Sequence, residues 1–282
     1  MARGTIQGAL GSGSMVRSTD RSALAAARAD IVCGLLLWRL WARLGWNDIR
    51  QRYQRSILGP LWLTISMGIL IGSLGLLYAR LFQQPVEEFL PYCGIGLLIW
   101  GFMSSYLTES GTLFSGAEAY IKQISLPFSL YVYRASWAKL IILAHNFIIY
   151  FGIILYFGIW PGAAALLAIP AICIVTFNGM AISLTIGMIS ARFRDIPQVI
   201  NSIVQILFFV TPLMWKPDAV KIPAYVTELN PVYHLLQIVR APLLGEVPTA
   251  SNYAAVGLVT LINVALSGLL FSRYRARIAY WV

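Results

Sequence analysis

Six apolar runs punctuate this chain, at residues 61–81, 90–108, 140–160, 163–190, 198–215 and 253–271. A hydrocarbon core about 30 Å thick needs about 20 apolar residues to cross it as a helix. Each run meets or nearly meets that length, so the pattern predicts about six transmembrane helices. An earlier run, 31–38, is too short to cross, and Arg39 and Arg43 break the apolar character of the stretch after it. Trp38, Trp41 and Trp46 beside those arginines suit a helix in the headgroup plane with its indoles at the interface. Packing of that helix on the protein's own flank is compatible with this placement. The fold class expected is all-α: a polytopic membrane protein with an N-terminal interfacial amphipathic helix and short external re-entrant helices before the last span.

The basic residues then orient the spans. With the N-terminus in the cytoplasm, inside segments hold 17 of the 21 Lys and Arg, and only Arg80, Lys216, Lys221 and Arg240 fall outside. Such an asymmetry places both termini in the cytoplasm. Gly11-Ser12-Gly13-Ser14 before Met15 reads as a flexible linker, and Met15 as a natural start following an added leader. The expected organisation is a flexible N-terminus at 1–22, an interfacial helix and basic junction at 23–60, and a six-helix transmembrane domain at 61–282.

Two stripes stand out inside the spans. Thr64, Gly68, Gly72, Gly75 and Ala79 recur at helical spacing, a small-residue face that lets helices approach closely. In the fifth run, Gln198, Asn201, Gln205, Phe208, Pro212 and Trp215 recur at intervals of three and four, putting amides and aromatics on one face. Unpaired amides are costly in hydrocarbon, so this face meets either a neighbouring helix or a wet pathway. Between the fifth and sixth runs, Asn230 resembles a helix cap and Pro231 its first-turn residue, ahead of an amphipathic stretch too short and polar to span. A re-entrant or surface helix is expected there.

Hydrophobic residues at 59%, charged residues at 11% and a mean hydropathy of +0.73 exclude an ordinary soluble domain. The net charge of +10 sits in the cytoplasmic flanks, where anionic lipid headgroups rather than nucleic acid are the partner. Cys33, Cys93 and Cys173 lack metal-type spacing and read as packing residues, so no metal site is expected. No phosphate loop, Rossmann fingerprint, nucleophile elbow or zinc motif occurs, and no catalytic residue is assigned. Glu109 is the best-placed acid near the cytoplasmic end of the second span; capping or pairing there is a better account than proton coupling.

Together these motifs resemble a known family. Arg52-Tyr53-x-x-Ser56-x-Leu58-Gly59-Pro60-Leu61-Trp62, the Tyr120-Ile121-Lys122 to Pro127 segment, Arg192-Phe193-Arg194-Asp195-Ile196, Asn230-Pro231 and the basic 273–280 tail follow its order. The family is the membrane subunits of ABC-type 2 polysaccharide exporters, which move O-antigen, capsule and teichoic acid chains. The resemblance covers the chain from about residue 23 to the end. It implies a transport subunit, not an enzyme, in the bacterial inner membrane. The implied partners are a second copy and two separate ATPase subunits, which bind the ATP and Mg that this chain does not. It implies an undecaprenyl-type lipid-linked glycan as cargo, most simply O-antigen, with capsule, teichoic acid, or a drug or small lipid as alternatives. Residues 120–126, with Tyr120, Ile121 and Lys122, would then form the main coupling helix, and Arg192, Arg194 and Asp195 a second contact. Asn201, Gln205, Phe208 and Trp215 would line the path, and Arg50, Arg52 and Arg55 would meet the lipid diphosphate.

Overall fold

The computed structural model describes residues 7–52, 61–215, 223 and 225–282, with side chains from residue 22 onward. Among the described residues the regular structure is helical, with no strand. Helices α1 (Gln7–Leu36) and α2 (Trp38–Arg52) lead, parted at Leu37, so helix extends back past the boundary expected near residue 22. Next come α3 (Leu61–Leu81), α4 (Val86–Thr108), α5 (Glu118–Gln123), α6 (Phe128–Phe157), α7 (Ala168–Arg192) and α8 (Ile196–Val210). The short α9 (Tyr225–Glu228), α10 (Pro231–Leu243), α11 (Ala250–Tyr274) and α12 (Ile278–Trp281) complete the chain. Among the described residues, five segments are long and apolar enough to cross a membrane: Leu61–Leu81, Val86–Thr112, Phe128–Phe157, Gly162–Arg192 and Ala250–Trp281. This is a multi-pass, all-α membrane protein.

The fifth apolar run departs from expectation. Helix α8 stops at Val210 after 15 residues, or about 22 Å at about 1.5 Å per residue, short of the bilayer core. Pro212 is the reason. A proline disfavours α geometry in the residue before it, and Thr211 takes φ −83°, ψ 132°. Pro212 and Trp215 therefore leave the helical stripe that their spacing suggested.

Helix α4 is the hub. Its segment buries 61% of its apolar window, against 17–39% for the other four, and it packs on α3, α6, α7, α8 and α10. Part of the small-residue stripe of α3 serves this packing: a Cβ on Gly75 would meet Leu90 of α4 at 3.0 Å, and Thr64 and Ala79 are buried, whereas Gly68 faces Ile149 of α6 and Gly72 meets nothing within 4 Å. On the opposite side Tyr106 lies flat on Gly179 of α7, where a Cβ would sit 2.5 Å from the ring. Cys93 is buried in this core, whereas Cys33 and Cys173 are exposed.

At the arginine-rich end, α1 and α2 wrap the start of α6. The first turn of α6 has no cap of its own. Asp30 of α1 supplies one, accepting from the amides of Phe128 at 3.1 Å and Ser129 at 3.0 Å, while Arg275 beyond α11 donates to the same carboxylate at 2.6 Å. Asp48 of α2 pairs with Arg134, and Trp41 packs against Tyr133 and Trp137, leaving Trp38 and Trp46 exposed. Packing of this helix on the protein's own flank is thus observed, with two of its three indoles left exposed.

Replacing Gly179 by Val forces two methyls into a ring held by Ser136, whose hydroxyl donates to the Tyr106 oxygen at 3.1 Å. Overpacking of this kind costs about 1–3 kcal/mol. A clearly lower thermal midpoint of the detergent-purified protein is expected; an unchanged midpoint would mean that the Tyr106 ring is free to swing away.

Candidate translocation path and coupling surface

Helix α8 buries none of its fifteen residues within the chain. Its half-buried residues Ile200, Val204, Leu207 and Phe208 share one face, set against α4, α7 and the turn after α4. Phe208 meets Trp100 with ring centroids 5.8 Å apart. Asn201 and Gln205 lie beside that face, exposed. A third face presents Val199, Ile203, Ile206 and Phe209 outward. Phe208 therefore has an intrachain packing partner that the two amides lack. Trp215 is half-buried, and its carbonyl accepts from the Tyr92 hydroxyl at 3.4 Å.

Farther along α4, a Cβ on Gly96 would stand 3.2 Å from the Leu213 carbonyl, so the non-helical 211–215 segment runs antiparallel to α4 in close contact. Helix α10 closes over it. Asn230 caps α10 as its sequence suggested, its Oδ1 accepting from Val232 at 3.0 Å and Tyr233 at 3.3 Å, while its Nδ2 donates to Thr211 Oγ1 at 3.0 Å.

The residues that the resemblance assigned to coupling lie at the basic end. Helix α5 is six residues long, and Tyr120 and Lys122 project outward while Ile121 is half-buried. Lys122 pairs with Glu118 one turn earlier at 2.6 Å. That hydrogen bond, and more weakly the charge of Arg194 in the α7–α8 turn, holds the Glu118 carboxyl below its ordinary range. The two loops singled out by sequence therefore share one surface. Arg192 stacks over Phe193 and over Trp281 of α12, so the C-terminal tail braces the same site. Arg194 and Asp195 are exposed.

Among the headgroup candidates, Arg50 is exposed and Arg52 lies 3.7 Å from Glu109. Arg55, with the rest of the junction at 53–60, lies outside the described residues. Glu109 also binds Lys139 at 2.6 Å, confirming an interfacial pairing role. Above this cluster a cavity of about 350 Å³ opens between α3, α4 and α6, lined by Met67, Phe102 and Asn146 among others.

Three site-shaping residues escaped sequence reasoning. Asp30 and Arg240 act on partners distant in sequence, and His234 is a buried link between the Glu228 carbonyl and Asn252, both at 2.8 Å. The only advance signal was the cost of a charge or imidazole in apolar surroundings.

Lys139 is 6% exposed and relies on a partly exposed Glu109. Glu109→Lys alone is expected to lower the thermal midpoint, by about 2–4 kcal/mol equivalent for a buried cation losing its partner. The exchange Glu109→Lys with Lys139→Glu should recover much of that loss. No recovery would show that the pair does not act as a unit.

Residues 39–244 match the family model described as ABC-2 type transporter. The chain is also 20% identical over 241 residues to the O-antigen export system permease protein RfbA of Myxococcus xanthus, covering 83% of this chain and 91% of that protein. The family match spans most of this bundle of apolar helices: the chain belongs to the ABC-2 type transporter family, as the membrane subunit of an ABC transporter.

Proposed function

We propose that this subunit exports lipid-linked polysaccharide, most simply O-antigen, across the bacterial inner membrane, with ATP and Mg bound by separate ATPase chains docked at its basic end. The observation that carries this reading is the amide face of α8, where Asn201 and Gln205 are exposed and paired with nothing in the chain among the described residues. Two bare amides facing lipid would be expensive, whereas a hydrated path for a hydroxyl-rich polymer uses them. The relationship to an O-antigen export permease supports the same cargo class. The arginine-rich end faces the cytoplasm in this reading, so α5 and the α7–α8 turn meet the ATPases and α10 lies toward the outer exit. A second copy completes the path by covering α8, and Arg50 and Arg52 receive the diphosphate of the carrier lipid.

In a strain lacking the native subunit, the wild-type chain should restore surface glycan, whereas Asn201→Leu with Gln205→Leu should insert normally yet export at least tenfold less. Restoration of capsule or teichoic acid instead of O-antigen would change the cargo. Full export by the double variant would defeat the path assignment.

Coupling is tested separately. Tyr120→Glu places a charge on the exposed face of α5, and it should leave the chain inserted while reducing ATPase co-purification and cargo-stimulated hydrolysis severalfold. Unchanged docking and hydrolysis would remove α5 from the coupling surface.

A further inference from the structure

Arg240 is fully buried and pairs with no carboxylate among the described residues. Its Nε donates to Gln237 Oε1 at 2.8 Å, its Nη1 donates to the Pro212 carbonyl at 2.8 Å, and its Nη2 has no partner. The guanidinium lies 4.0 Å from the centroid of the Tyr92 ring, whose hydroxyl donates to the carbonyls of Pro212 and Trp215 at 3.4 Å each. A cation held over an aromatic face and bonded to backbone carbonyls is a stable arrangement, although a buried charge would ordinarily demand an anion.

The cause lies in the break of α8. Once Pro212 ends the helix, the carbonyls beyond it have no helical donors, and non-helical backbone at membrane depth persists only where other groups satisfy it. Arg240 offers five donors in a rigid plane, and Tyr92 adds a hydroxyl. Asn230 holds the adjacent Thr211 from the same helix, so α10 grips two consecutive residues of the break. Gly96 leaves the room: a Cβ there would stand 3.2 Å from the Leu213 carbonyl and 3.4 Å from Nη1 of Arg240.

Because α8 only half-buries one face and has no fully buried residue, the grip at its outer end adds to that face in fixing its position. We infer that Arg240 is a positioning residue that clasps the 211–215 segment against α4 and so sets where the outer end of α8 sits, with α10, itself packed into the core, as the fixed arm of the clasp. This rests on the export reading for its meaning, though the clasp is a property of the chain. Hydrogen bonds to backbone, unlike interlocked side chains, can be exchanged without repacking a core. The unpaired Nη2 leaves the guanidinium a further bond to make when the segment shifts.

The test uses the assembled transporter in sealed cells, with Trp215→Cys as reporter in a background where Cys33, Cys93 and Cys173 are replaced by Ala. An impermeant maleimide should label this reporter slowly with Arg240 in place. Arg240→Met removes the charge and donors at similar volume and should raise the labelling rate at least tenfold while inserted protein and basal ATP hydrolysis persist. Arg240→Lys, which keeps one donor and the charge, should fall between. A wild-type rate in inserted Arg240→Met protein would overturn the clasp. If that variant does not accumulate, Tyr92→Phe, which removes one hydroxyl and keeps the ring, decides: faster labelling supports the clasp and an unchanged rate overturns it. Failure of the export reading would show as absent glycan in every strain, including the one with Arg240 intact, and would leave the labelling comparison standing.

Discussion

Hydrocarbon offers no hydrogen-bond partners, and three of the described places where this chain stops being plain helix show how that constraint is met. Where α6 begins, the amides of Phe128 and Ser129 find Asp30. Where α10 begins, Asn230 caps its own first turn. Where α8 ends, Arg240 and Tyr92 take the stranded carbonyls. Within the bundle, Asn178 donates to Thr260 Oγ1 at 2.8 Å and accepts from Asn263, so the amides of α7 and α11 satisfy each other. Polar side chains in this fold act mainly as substitutes for water at backbone ends and helix contacts.

That constraint also decides what was legible in the sequence. Hydropathy exposes helices because length and composition alone determine whether a segment can cross, and five spans match their runs. Local caps are legible too: Asn230 and Pro231 announce α10 within three residues. The remaining run, the fifth along the chain, misleads because hydropathy counts apolar residues and ignores geometry, while one proline at 212 ends the helix. Asp30 and Arg275 were unreadable for another reason. They meet across 245 positions, and nothing local marks either as a partner. Of the candidate site, the coupling loops were legible as exposed charged turns, but their convergence on one surface depends on α12 folding back against α7 and α5.

The basic end is consequently the most cross-linked part of the molecule. Asp30 joins α1, α6 and the tail; Asp48 joins α2 to α6; Glu109 joins the end of α4 to α6 and α2. A force on α5 meets α6 just beyond Pro127, at a helix start whose amides are bound to α1. In the export reading a force applied at α5 would reach α1, α2 and α6 together through these ties.

The opposite end is held differently, and α8 lies between the two regimes. Its packed face, through Val204, Leu207 and Phe208, leans on α4 and α7, while its amides and its apolar face have no cover in the chain. Phe208 is thus better explained by contact with Trp100 than by cargo, whereas Asn201 and Gln205 have no such explanation. At about 100° per residue Phe208 lies about 20° from Asn201 and about 60° from Gln205, so the packed and exposed members of the stripe adjoin along one edge of the helix. Helix α8, half-buried on one face against α4 and α7 and held at its broken end by Arg240 and Tyr92, is thus bound far less deeply than the α4 core it leans on.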